Sequence, residues 1–137
     1  MNEPDFLTRE AVDLIHEASL RAFGGADGVR DENALESALA QPMHEFFYRQ
    51  ADLYQIAAAY AFHIAENQPY IDGNKRTGSM AALWLLAAIL PEIEEPSPVQ
   101  VRFLGELAVE TASGGVTVDA VAFWLERIFA PGTTELG

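Results

Sequence analysis

Residues Asn74 to Leu90 place the strongest constraint on this chain of 137 residues. From Met80 the segment reads "MAALWLLAAIL", with no polar position left to face water at helical spacing. A helix that is apolar on all sides has to be surrounded by other elements. Crossing a bilayer takes about 20 apolar residues, and this run is shorter. The sequence therefore predicts a central, buried helix with the rest of the chain packed around it.

The remaining segments also read as helices. Thr8 can cap a first helix to about Phe23, with Val12, Ile15, Ser19 and Ala22 as its stripe and Gly24-Gly25 as its stop. Asp31 can cap a second through Ala34, Leu35, Ala38 and Leu39, which Pro42 should end. Met43 to Asp52 has three adjacent aromatics and no helical stripe, so it is expected as an ordered loop or short hairpin. Such an extended segment cannot turn Phe46, Phe47 and Tyr48 to one side, so core filling is expected for two of them. Asp52 can cap a third helix through Leu53, Ile56, Ala57, Tyr60 and Ile64, ending near Asn67 because Pro69 restrains Gln68. Val101 to Ser113 and Thr117 to Phe129 complete the set. The expected fold is all-α, one domain over residues 1–137, with at most a short hairpin flap.

Composition narrows the function classes. Cysteine is absent, which excludes disulfides and thiolate chemistry. The start, "MNEPD", has neither a basic nor an apolar stretch, so no signal peptide is expected and a cytoplasmic location is the default. The net charge of −13 repels nucleic acid and anionic lipid, and a basic protein partner is compatible with it. The same charge also serves simply to keep a small domain in solution.

The chemistry gathers at "DGNKRT", Asp72 to Thr77, where the buried helix begins. A helix start leaves backbone N–H groups unpaired and carries partial positive charge. Gly73 lets an anion approach the backbone, Asn74 offers an amide, and Lys75 and Arg76 add two cations. Asp72 would repel a phosphate unless a divalent cation lay between them, and Mg²⁺ is commonly held in that way. These residues together suggest a Mg²⁺-nucleotide or another phosphorylated ligand. A capped helix with a solvated basic face is the plainer alternative for such a short run.

The longer stretch Gln68-Pro69-Tyr70-Ile71-Asp72-Gly73-Asn74-Lys75-Arg76-Thr77 resembles the motif loop of the Fic family, in its death-on-curing branch. "LTREAVDLIHEASLRAFGG", "RDENALESALAQP" and "ASGGVTVDAVAFWLE" extend the resemblance to about Leu7 to Arg127. The resemblance implies that Asp72 holds Mg²⁺, that Gly73, Asn74 and Lys75 line an anion nest, and that Arg76, with Thr77 beside it, binds nucleotide phosphate. Tyr70 replaces the family's inward-pointing Phe, a mild change if its hydroxyl finds a partner. Ser79 stands where many members carry a second Arg. The implied activity is transfer of phosphate or AMP from ATP to a protein hydroxyl. The branch further implies a toxin that acts on elongation factor Tu, stops translation and is silenced by a cognate antitoxin.

Gln68 occupies the position of the family's catalytic His. An amide donates and accepts hydrogen bonds but takes no proton near neutrality. Loss of a general base costs about 10²–10⁴-fold in rate. Three readings follow: a toxin whose chemistry uses another base or needs little base help, a binding module that kept the nest and lost the reaction, and an inactivating replacement in a toxic protein. His63 is a packing histidine on its helix, or it reaches the loop and orients Gln68, or it serves as an alternative base. His44 is a surface residue or a contact to a target, and His16 reads as structural.

Overall fold

A computed structural model describes residues 2–90, 102, 106 and 118–129. Five helices lie within them: α1 (Arg9–Phe23), α2 (Glu32–Arg49), α3 (Leu53–Asn67), α4 (Asn74–Ile89) and α5 (Val118–Phe129). Among the described residues there is no strand, only an isolated antiparallel bridge between Val29 and Tyr70. The all-α expectation holds. The helix expected over Val101 to Ser113 lies largely outside the described residues.

Local chemistry sets the helix starts. Thr8, Asp31 and Asp52 each accept a hydrogen bond from the backbone N–H three residues on, at 3.0, 3.0 and 2.9 Å. Gln55 returns a bond to the Asp52 backbone, closing a capping box. Each of these caps satisfies a donor that the first turn would otherwise leave open.

Two helices share the centre. α3 packs against α2, α4 and α5, while α1 packs on α4. Ala57, Ala58, Ala59, Ala61 and Ala65 are buried on α3 and let its neighbours come close. Gly78 of α4 marks the closest approach, since a Cβ there would stand 2.8 Å from the Ala61 carbonyl oxygen. α4 is buried through Thr77, Gly78, Ser79, Ala81, Ala82, Leu83, Leu85 and Leu86, but Trp84 is 49% exposed. The helix after the motif loop is therefore central, in partnership with α3.

One expected element is corrected. Pro42 does not stop α2, and Met43 to Arg49 is helical, so there is no hairpin flap in this stretch. Proline removes one backbone bond and crowds the carbonyl four residues back. Here that carbonyl belongs to the small, buried Ala38. Tertiary packing supports the continuation: Phe6 meets Phe46 and Phe47 at centroid distances of 6.0 and 6.2 Å. In a helix successive side chains fan outward, so only Phe46 of the three aromatics packs against the core, while Phe47 and Tyr48 are exposed. His44 is exposed beside the Tyr48 ring.

Candidate functional site

The loop from Gln68 to Gly73 joins the two central helices, so rigid elements hold both its ends. Gly73 adopts φ 78°, ψ 17°, a left-handed conformation that favours glycine. It precedes α4 and no side chain caps the helix, so the first-turn N–H groups receive no side-chain acceptor. An open cleft of about 400 Å³ lies here, lined by Ala65, Gln68, Ile71, Asp72, Gly73, Asn74, Lys75 and Arg76. One depression thus collects the acid, the helix start, both cations and the residue at the motif's first position.

Each expected site residue can be placed. Lys75 and Arg76 are exposed in the cleft. The Arg76 guanidinium lies 4.6 Å from the centroid of the Phe23 ring, a cation–π contact that gives it a resting place. Asn74 uses its side-chain amide internally: Oδ1 accepts from Tyr70 N–H and Nδ2 donates to Tyr70 O, both at 2.9 Å. It fastens the loop, and only its backbone faces the expected role in a nest. Thr77 is corrected, because it is fully buried, does not line the cleft, and leaves its hydroxyl without a partner among the described residues. Ser79 is buried as well and donates its hydroxyl to Lys75 O at 2.8 Å.

Asp72 is exposed on the cleft wall. Its Oδ2 accepts from Ala26 N–H and its Oδ1 from Gly73 N–H, both at 3.2 Å. These bonds orient the carboxylate, and each oxygen keeps acceptor capacity. Among the described residues, no group of three or more His, Asp or Glu side chains gathers into a metal cage. A single oriented carboxylate fits a Mg²⁺ ion that is held mostly by phosphate oxygens.

Tyr70 is only 2% exposed and carries the loop inward. Its hydroxyl donates to Asp13 Oδ1 at 2.7 Å. Asp13 is paired with Arg9 at 3.0 Å, and Arg9 also meets Glu32 at 2.7 Å. Burial, followed by the Asp13 hydrogen bond, pushes the Tyr70 phenol well above its ordinary range. Glu32, then Asp13, hold the Arg9 guanidinium firmly charged despite partial desolvation. The His16 ring stacks on Tyr70 at 3.8 Å and donates from Nε2 to Asp72 O at 2.7 Å. A carbonyl only accepts, so Nε2 carries the proton.

His63 does not line the cleft. It is half-buried, its ring edge-on to Phe62 at 4.8 Å, and among the described contacts it makes none with Gln68. Burial lowers its pKa, with Glu66 opposing. No imidazole therefore lines this cleft among the described residues.

Three supports escaped the sequence reading: Asp13, His16 in its contact with Asp72, and Arg30. Arg30 donates from Nε to Gln68 O at 2.8 Å and from Nη2 to Asn67 O at 3.0 Å. Their signal was present only in part. "LTREAVDLIHEASLRAFGG" and "RDENALESALAQP" stand out as flanking features, but nothing local in them shows which loop they reach.

Comparison with known proteins places the sequence in a family. A model of the Fic/DOC family matches residues 6–86. The chain is 27% identical over 124 residues to the Protein kinase doc of Escherichia phage P1, covering 90% of this chain and 94% of that protein. It is 32% identical over 132 residues to the Toxin Doc of Mycolicibacterium smegmatis, covering 95% of this chain and 98% of that one.

Proposed function

We infer the function from one premise: this chain belongs to the Fic/DOC family. We propose that it is the toxin of a toxin–antitoxin system and a phosphotransferase, moving phosphate from ATP to a protein hydroxyl. Elongation factor Tu is the proposed acceptor and a cognate antitoxin the proposed silencing partner, both in the cytoplasm. Both relatives match over nearly their full length; the name of the mycobacterial one supports the toxin reading and that of the phage one the kinase reading. The observation that carries the chemistry is the single cleft joining Asp72, the uncapped start of α4, Lys75, Arg76 and Gln68.

In this reading the backbone of Gly73 to Lys75 receives phosphate oxygens at the helix start. Arg76 leaves Phe23 to grip phosphate in bidentate fashion. Asp72 would hold Mg²⁺, which when bound supplies charge neutralisation between the carboxylate and the phosphates. Gln68 orients the acceptor hydroxyl by hydrogen bonding and takes no proton; as the hydroxyl oxygen bonds the γ-phosphorus the bond to the departing ADP breaks, and the hydroxyl proton passes to an oxygen of the transferred phosphate or to water. Phosphoryl transfer through a loose transition state relies mainly on position and charge, so slow transfer survives without an imidazole.

Gln68 favours a second reading, a nucleotide- or antitoxin-binding module without transfer. One assay separates the two. Purified protein is incubated with Mg²⁺, a cell extract and ATP labelled at the γ or the α phosphate. The proposal predicts γ-label transfer by the native chain, abolished in Asp72→Ala and raised about 10²–10⁴-fold in Gln68→His. Label from the α position would instead mean AMP transfer. Transfer by Gln68→His alone would establish the binding-module reading for the native chain.

A further inference from the structure

Among the described residues, two helices end on a left-handed, non-glycine residue. α2 ends at Gln50 (φ 53°, ψ 40°) and α3 at Gln68 (φ 49°, ψ 54°). Such values are uncommon outside glycine and asparagine. At α2 the turn is closed from within, because Ala51 N–H donates to Glu45 O at 3.0 Å. α3 cannot close in that way. The next residue is Pro69, which has no N–H and biases its predecessor toward extended ψ. Nor does α3 carry a basic residue in its last turn to meet its carbonyls.

The missing donors come from the segment between α1 and α2. The Arg30 guanidinium holds two successive carbonyls, Asn67 O at 3.0 Å and Gln68 O at 2.8 Å. The backbone N–H groups of Arg30 and Asp31 converge on the next carbonyl, Pro69 O, at 2.7 and 3.1 Å. Ile71 N–H donates to Gly28 O at 3.0 Å, which completes the pairing. A costly backbone conformation persists only where its surroundings over-determine it. Here the over-determined residue is the one that lines the cleft at the motif's first position.

We infer that Arg30 is a positioning residue for position 68: it locks the left-handed backbone there and so aims that side chain into the cleft. The clamp grips main-chain oxygens, so it serves glutamine and a substituted histidine alike. A lysine has a single point charge and cannot hold both carbonyls with a rigid fork. The consequence for catalysis rests on the transfer site proposed above, whereas the backbone lock does not.

The test uses Arg30→Ala and Arg30→Lys, each in the native chain and in the Gln68→His background. Solution NMR reads the backbone of residue 68 through its HN–Hα coupling and 13Cα shift. Calorimetry reads Mg²⁺-ATP binding, and γ-label transfer reads activity. In Arg30→Ala the signals of residue 68 should leave left-handed values, and transfer should fall roughly 10–100-fold while the Kd for Mg²⁺-ATP changes by less than about twofold. Arg30→Lys should lie between. Unchanged signals at residue 68 overturn the inference, as do shifted signals with undiminished transfer or an equal loss of nucleotide binding. If Arg30→Ala does not fold, Arg30→Lys decides by the same readings. If no variant transfers label, including Gln68→His, the transfer reading fails and NMR still decides the lock.

Discussion

At the residue scale, Tyr70, Tyr60 and His63 tie stability to one hydrogen bond and to pH. Tyr70 gives its hydroxyl to Asp13, so Tyr70→Phe should lower stability by about 1 kcal/mol, given the partial exposure of Asp13. A urea titration measures this, and Mg²⁺-ATP affinity should not change. Two buried phenols, Tyr70 and Tyr60, set an alkaline limit. Burial pushes Tyr60 up to about 12 from an ordinary 10.0, and Tyr70 is raised further. A folded-state pKa above the unfolded one gives stability that is complete below about pH 10 and lost as pH climbs toward the folded values. Tyr70→Phe should flatten that loss. His63 acts at the other end of the pH scale. Burial lowers its pKa from 6.5, so the unfolded chain binds a proton that the folded chain refuses. Stability should fall as pH drops below about 6.5, and His63→Gln should remove that part of the slope. Urea midpoints at successive pH values check both limbs.

At the element scale, α3 and α4 approach closely at Gly78. Gly78 lies so near the Ala61 carbonyl that Gly78→Ala must part the helices, costing about 1–3 kcal/mol in chemical denaturation. The helix starts were legible in the sequence because a cap is local: Thr8, Asp31 and Asp52 meet donors three residues away. The course of α2 was not legible. Pro42 is a local stop signal, and its override depends on Phe6, which is distant in sequence and packs against Phe46. Assigning an extended geometry to Phe46, Phe47 and Tyr48 then placed two of them in the core, whereas the helix brings in one. The buried course of α4 was legible from its composition alone, but not that Ala-rich α3 would share the centre with it.

For the whole molecule, the motif loop is a joint between its two central helices, steadied from two sides. α1 supplies Asp13 and His16 beneath it, and Gly28 to Asp31 pair along its edge. The cleft's acid and cations could be read from "DGNKRT" because they are consecutive. The supports could not, since Asp13, His16 and Arg30 reach it from 38 or more residues away. Thr77 shows the reverse error: adjacency to Arg76 suggested a ligand contact, but the helix turns its side chain into the core. In the proposed function, phosphate binding and proton transfer are separable: Asp72 to Arg76 would hold the nucleotide, and the amide at position 68 takes no proton. Calorimetric titration with Mg²⁺-ATP tests it most directly, using the native chain, Gln68→His, Asp72→Ala and Arg76→Ala. The account predicts equal affinity for the native chain and Gln68→His, and at least about tenfold weaker binding for the other two, as expected for loss of a charge-assisted contact. No measurable binding by the native chain, or binding that appears only with histidine at position 68, would contradict it.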